Sequence, residues 1–132
     1  MKKILMMLML LVSTNVLAVD WVKVSESADG SFTGYVDPQS IRRIGNKVRA
    51  WTLKDLKSDK KVVGSTRFLS MATRNEYDCF EDTYRTIDIY EYSAKMGTGD
   101  IVSSIPNITD PAISVPPGSF FAAELKLVCA TK

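Results

Sequence analysis

Two cysteines constrain the fold of this chain more than any other feature. Cys79 and Cys129 are its only cysteines, they stand fifty residues apart, and the chain contains no histidine. A redox-active pair is usually spaced Cys-x-x-Cys and a zinc site needs closely paired ligands, so neither chemistry suits this spacing. In an exported chain, a single pair of this kind predicts one structural disulfide between Cys79 and Cys129.

The first eighteen residues predict that the chain is exported. Lys2 and Lys3 form the positive start of a signal peptide, an apolar run follows at 4–12, and residues 16–18 offer the small side chains of a cleavage site. The run of nine apolar residues is too short to cross a bilayer as a helix, which needs about twenty residues. We therefore predict export through the secretory route, to the periplasm, the cell surface or the medium.

Removal of a signal peptide at 1–18 would leave one domain at 19–132, of a usual size for a single hydrophobic core. A bacterial lipoprotein carries its lipid on a cysteine just after the apolar run, but here the first cysteine is Cys79. We expect neither a lipid anchor nor an integral membrane span. The predicted signal holds two of the 17 basic residues and none of the 15 acidic ones, so the mature chain is formally neutral. That balance gives no electrostatic basis for binding nucleic acid.

The mature chain is dominated by strand patterns. Six segments rich in β-branched and aromatic residues are separated mostly by short turns, which predicts an antiparallel sheet. These segments are 20–25, 32–36, 48–56, 65–80, 84–94 and 100–105. Asp37 and Pro38 suit the start of a single helical turn after the second strand, and residues 58–61 predict a polar turn after the third.

A helix is predicted at the C-terminal end. Four prolines between 106 and 117 indicate an extended connection, and Ser119 after them is a suitable helix N-cap. Apolar side chains then recur at helical spacing and form one packing stripe of Phe121, Leu125, Val128 and Cys129. The predicted fold class is α+β: a six-stranded antiparallel sheet with a C-terminal helix packed on one face and tethered by the disulfide.

The pattern also predicts the contact between the sheet and the helix. Period-two geometry places four residues of the long fourth strand on one face: Leu69, Met71, Tyr77 and Cys79. We expect that face, together with Trp51 of the third strand, to pack against Phe121, Leu125 and Val128. The cysteine on the strand and the cysteine on the helix would then meet at the packing interface.

No set of residues predicts catalysis. A Ser-x-x-Lys match at Ser58 and Lys61 falls in a polar turn, and the acidic cluster at 76–82 suits a solvated strand end. The Gly97-Thr98-Gly99 segment lacks the third glycine of a phosphate-binding loop, and the absence of histidine removes the commonest general base. We predict a non-enzymatic protein with no catalytic, cofactor-binding or metal-binding residues.

The order of several short motifs resembles the surface-adhesin protein E-like domain family of Gram-negative bacteria. The motifs are Tyr35-Val36-Asp37-Pro38-x-x-Ile41, Trp51, Asp78-Cys79, Tyr84-Arg85, Tyr92, Met96-Gly97-x-Gly99, Pro117-x-Ser119 and Cys129. The resemblance implies a six-stranded antiparallel sheet with a C-terminal helix held by a disulfide, which is the architecture predicted above. It also implies an adhesin that binds host matrix and serum glycoproteins such as vitronectin, laminin and plasminogen.

The resemblance further implies that basic residues before and after the first cysteine contact the partner. In the corresponding stretch, 64–85, the basic residues are Arg67, Arg74 and Arg85, and guanidinium groups suit carboxylate and sulfated partners. Four carboxylates in the same stretch predict that any attraction is modest and salt-sensitive. Two functions remain open: an exported adhesin-like binding protein, and a soluble periplasmic module with a structural or small-ligand-binding role.

Overall fold

The computed structural model describes residues 18–61 and 67–130. The predicted signal peptide lies outside this range except for Ala18, so the structure leaves that prediction untested. Within the described residues, no helix is both long enough and apolar enough to cross a membrane.

An antiparallel sheet forms most of the described molecule. Its eight strands are β1 (Val22–Glu26), β2 (Phe32–Val36), β3 (Arg42–Ile44), β4 (Lys47–Lys61), β5 (Arg67–Asp78), β6 (Thr83–Tyr92), β7 (Ile101–Ile105) and β8 (Ile113–Ser114). Six of them lie side by side in the order β1-β2-β4-β5-β6-β7, while β3 pairs with β4 and β8 pairs with β6. The six are the predicted strands. The sequence does not predict β3 and β8, because strands of three and two residues are too short to show a period.

The predicted turn at 58–61 is wrong, because β4 continues through Lys61. The pairing of β4 with β5 shifts register after Asp55 and resumes at residues 60 and 61, opposite Phe68 and Arg67. Residues 57–59 are exposed, so their polar side chains remain in water while the backbone pairing with β5 resumes at residues 60 and 61. A polar sequence is therefore compatible with strand there.

A single α-helix in the described chain, α1 (Phe120–Ala130), packs on one face of the sheet. The Ser119 hydroxyl oxygen accepts a hydrogen bond from the Ala122 backbone N–H at 3.2 Å, which confirms the predicted N-cap. A disulfide joins Cys79, which directly follows β5, to Cys129 near the end of α1, with 5.7 Å between their Cα atoms. The predicted tether of helix to sheet is confirmed.

The two faces of the sheet are unlike. On the face covered by α1, the buried core consists of Val36, Val48, Ala50, Tyr77 and Val128, against which Leu125 and Cys129 also pack. We call the other side the open face. Side chains alternate along β4, so Trp51 lies on the open face while its neighbour Ala50 enters the core. The prediction that Trp51 packs against the helix is wrong for this reason.

A short 3-10 helix at Lys95–Gly97 covers one end of the open face. The backbone N–H of Met96 donates to Asp55 Oδ1 at 2.8 Å, and that of Gly97 donates to Ser70 Oγ at 2.8 Å. Gly97 has φ of 67° and would place a Cβ 3.5 Å from Leu53 Cδ1, so this turn lies against the fully buried Leu53. Among the described residues, no α-helix covers the open face.

Candidate functional site

A groove of about 440 Å³ runs across the middle of the open face, and we call it the aromatic groove. Half of its eight lining residues are aromatic: Trp21, Trp51, Tyr90 and Tyr92, beside Val19, Asp37, Ala72 and Ile101. The rings come from β4, β6 and the segment before β1, so only the folded sheet brings them together.

Two of the rings that line the aromatic groove pack against each other. Trp51 on β4 and Tyr90 on β6 flank the central strand β5, and their ring centroids are 5.8 Å apart. Tyr90 is directly opposite Ala72 of β5, which is 4% exposed. Because alanine is small, the two larger rings on either side of β5 can meet each other, and this pair forms part of the groove's lining.

A second depression of about 340 Å³ adjoins the aromatic groove, and we call it the arginine pocket. It is lined by three arginines and four other residues: Arg42, Arg49 and Arg74, then Ser40, Ile44, Ala50 and Trp51. Strand register explains the grouping, because Arg42 of β3 is opposite Arg49 of β4, and Arg74 of β5 is opposite Trp51. Trp51 therefore forms a wall of both depressions.

The carboxylate of Glu76 holds three of the basic side chains of this region in place. Arg49 Nε lies 2.8 Å from Glu76 Oε2, while Arg85 Nε and Lys47 Nζ lie 3.1 Å and 3.7 Å from Glu76 Oε1. Burial raises the pKa of Glu76, but the hydrogen bonds and charges of Arg49 and Arg85 outweigh it and hold that pKa below its ordinary value. The glutamate is therefore ionised at neutral pH.

Arg74 is held in the same way by Asp88, with 2.7 Å between Arg74 Nε and Asp88 Oδ2. Arg42 instead donates to the backbone carbonyls of Gln39 and Ile41, at 2.7 Å and 3.0 Å. Four of the five cationic side chains at this end of the open face thus share two carboxylate partners, and Arg42 pairs with neither of them. Over these seven side chains, positive charges exceed negative charges by three.

The three arginines predicted to contact a partner do not form one surface. Arg74 and Arg85 lie on the open face, opposite Trp51 of β4 and Glu76 of β5 respectively. Arg67 is at the other end of β5, seven residues from Arg74 and so about 23 Å away. It is exposed and pairs with Asp59 at 2.7 Å. A partner-binding role for any of them stays a prediction.

Sequence reasoning missed the other residues of this site. Arg42 lies on a strand too short to predict, and Arg49 lies outside the stretch that the family resemblance singled out. The alternation of Arg49 and Trp51 with Val48 and Ala50 was a usable signal, since it places the first two on one face. It does not indicate which face the helix covers.

The helix-covered face holds a second polar cluster, around Glu124 of α1. Its carboxylate is 1% exposed and accepts hydrogen bonds from the Tyr77 hydroxyl and from Asn75 Nδ2, the latter at 3.3 Å. Burial raises the pKa of Glu124, against the lowering effects of the Tyr77 hydrogen bond and the Lys54 charge. The arrangement joins the helix to two sheet residues, and nothing in the helical apolar pattern predicts it.

Metal ligation has no candidate among the described residues: they contain no group of three or more His, Cys, Asp or Glu side chains placed to hold an ion.

Comparison with known proteins gives one family and one fold. A family model described as surface-adhesin protein E matches residues 21–130. A solved structure of Haemophilus influenzae protein E is similar with a TM-score of 0.63 and 13% identity, covering 86% of each chain. A second crystal form of that protein has a TM-score of 0.62 and 14% identity, covering 86% of this chain and 94% of that one. At such identities the structures establish a shared fold alone. Among curated proteins, no sequence matches this chain.

Proposed function

Because the chain belongs to the surface-adhesin protein E family, we propose that it is an exported, adhesin-like binding protein that contacts extracellular matrix or serum proteins through its open face. The family is one of adhesins, a non-enzymatic class. The partners we propose are those that the family resemblance implies, namely vitronectin, laminin and plasminogen.

The contrast between the two sheet faces carries this proposal. One face is closed by α1 and the Cys79–Cys129 disulfide, whereas the other presents four aromatic rings beside a group of arginines. Aromatic residues and arginine are enriched at protein interfaces and among the residues that contribute most to binding. Since all of them except Trp21 stand on paired strands, these side chains are held in position before a partner arrives, which lowers the entropic cost of association.

We propose further that a signal peptide at 1–18 is cleaved and that residues 19–132 act as one domain. Val19 and Trp21 line the aromatic groove. Cleavage after Ala18 would therefore leave the wall of the groove intact and place the new N-terminus beside it.

The binding surface can be tested with a pair of aromatic variants. Tyr90→Ala removes a ring from the aromatic groove, and Phe80→Ala, at a position 82% exposed outside the groove, is the matched control. We expect Tyr90→Ala to weaken binding to immobilised vitronectin or laminin by about tenfold or more, and Phe80→Ala to leave it unchanged. No binding by the parent at tens of micromolar and low ionic strength would contradict the proposal, as would equal effects of the two variants.

The alternative is a soluble periplasmic module with a structural or small-ligand-binding role. The volume of the aromatic groove, about 440 Å³, favours it because small-molecule sites span about 300–1,000 Å³. Protease treatment of whole cells separates the two functions. A surface protein is removed by that treatment, whereas a periplasmic protein is spared.

A further inference from the structure

We propose that the arginine pocket and the aromatic groove together bind a sulfated polysaccharide, with a sulfate group in the pocket and sugar rings against the aromatic side chains. This inference rests on the proposed function only in taking the open face as the binding surface. It names a class of ligand for that surface.

The arginine pocket has hydrogen-bond donors to offer an anion. Arg49 and Arg74 make their ion pairs through Nε, and among the described residues their terminal NH groups form no hydrogen bond. Arg42 uses one terminal nitrogen on backbone carbonyls and pairs with no carboxylate of the described chain. Guanidinium groups donate in a fixed planar fork that matches the oxygens of sulfate. Three such groups around one depression therefore suit a sulfate group.

The aromatic groove supplies the surface for the rest of the ligand. A sugar ring has flat faces of C–H groups, which pack on aromatic rings while its hydroxyls remain in water. Trp51 belongs to both depressions, so an anion in the pocket lies beside the first ring of the groove. A ligand that fills both must combine an anionic group with neighbouring rings. Repeated sulfate groups on a chain of sugars meet that requirement.

An acidic peptide fits this surface less well. Extended peptides commonly bind by adding a strand to a sheet edge, where unpaired backbone groups are available. The site lies instead on the face of the sheet, over β4, β5 and β6, where β4 pairs with β2, β3 and β5, and β6 pairs with β5 and β7. At Trp51, between the β2 and β3 pairings, the backbone N–H donates to Ser40 Oγ and the carbonyl accepts from the Asp37 N–H, so these groups are occupied as well. A peptide would find no backbone partners there, whereas a polysaccharide needs none.

The test uses protein purified after export from cells that express the full chain. A heparin-derived hexasaccharide is titrated by calorimetry, alongside its desulfated counterpart, inorganic sulfate and a hexaglutamate peptide. Arg42→Gln removes a positive charge on the open face. Arg43→Gln is the control, because it removes the same charge from the adjacent residue, whose guanidinium donates to the Cys129 carbonyl on the other face. Near-UV circular dichroism checks the fold of each variant.

We expect the hexasaccharide to bind more tightly than the other three ligands. Its affinity should fall about tenfold in Arg42→Gln and stay unchanged in Arg43→Gln. Tyr90→Ala should weaken binding of the hexasaccharide while leaving that of inorganic sulfate unchanged.

The inference is overturned if the hexasaccharide does not bind, if its desulfated counterpart or hexaglutamate binds as tightly, or if the two arginine variants behave alike. Binding to vitronectin or laminin is measured separately. Hexasaccharide binding that is selective for Arg42, without binding to either protein, would support the inference and contradict the proposed function. Binding to vitronectin or laminin without binding of the hexasaccharide would overturn the inference and leave the proposed function intact.

Discussion

The hydroxyl of Tyr77 on β5 donates a hydrogen bond to the carboxylate of Glu124 on α1, and both side chains are fully buried between sheet and helix. A buried carboxylate is costly unless it is hydrogen-bonded, and here a tyrosine and an asparagine of the same strand meet it. The contact fixes the position of α1 along the sheet, because sliding the helix would leave these polar groups unpaired.

The first prediction concerns the pH dependence that Glu124 brings to stability. Burial raises its pKa above the ordinary value of 4.5, so the folded state binds its proton more tightly than the unfolded state. The resulting stabilisation is fully present below about pH 4.5 and is lost as the pH rises through the raised pKa. Relative to the Glu124→Gln variant, the parent should therefore be more stable at pH 4 than at pH 8. Urea unfolding at both values measures the difference.

Glu76 gives the free energy of unfolding the opposite pH dependence. Because parent and Glu124→Gln both contain Glu76, its contribution cancels in the difference between them. Its pKa is lowered below 4.5, so its stabilising effect is present above that pH and is lost as the pH falls. A free-energy difference between parent and Glu124→Gln that is the same at both pH values would contradict the first prediction.

The second prediction concerns the disulfide. The bond closes a loop with a sequence separation of 50, which in the chain-entropy model stabilises the fold by about 4 kcal/mol. Reduction, or a Cys79→Ser or Cys129→Ser substitution, should lower the melting temperature and loosen α1, which calorimetry and amide exchange of the helix would measure. Two reactive thiols in the native, air-exposed protein would contradict the disulfide itself.

The third prediction concerns the packing of α1. Leu125 packs against the buried core and is itself half-buried, so Leu125→Ala should cost about 2 kcal/mol of unfolding free energy, at the low end for such truncations. Lys126→Ala, at an exposed position of the same helix, is the control. Chemical denaturation measures both, and a change under about half a kcal/mol for Leu125→Ala would mean that the helix does not dock through this residue.

The fourth prediction concerns the close contact between Gly34 of β2 and Phe120 at the start of α1. A Cβ at position 34 would lie 2.0 Å from two atoms of the Phe120 ring, which also packs edge-on against Phe32. Gly34→Ala should therefore destabilise the protein by about 1–3 kcal/mol through overpacking. Phe120→Ala should recover part of that loss when the two changes are combined. A double-mutant cycle by denaturation measures the coupling, and simple additivity would contradict the contact.

Local patterns were enough to predict six of the described strands, the C-terminal helix and the tether. Ser119 caps the helix because a hydroxyl before a helical segment can accept a hydrogen bond from the first turn, whatever the helix packs against. The cysteine pairing followed in the same way, since a chain with two cysteines can form only one intramolecular disulfide. The cap depends only on neighbours in sequence, and the disulfide depends only on there being a single possible pair. Neither inference required knowledge of the packing.

The tertiary structure alone decided which side of the sheet became the candidate site. Alternation along β4 determines that Arg49 and Trp51 share one face and that Val48 and Ala50 share the other, but it does not say which face the helix covers. That choice depends on contacts distant in sequence, such as Gly34 with Phe120 and Tyr77 with Glu124. The helix packs on the face where Gly34 leaves room for Phe120 and Tyr77 meets Glu124. Trp51 and the arginines therefore remain on the open face.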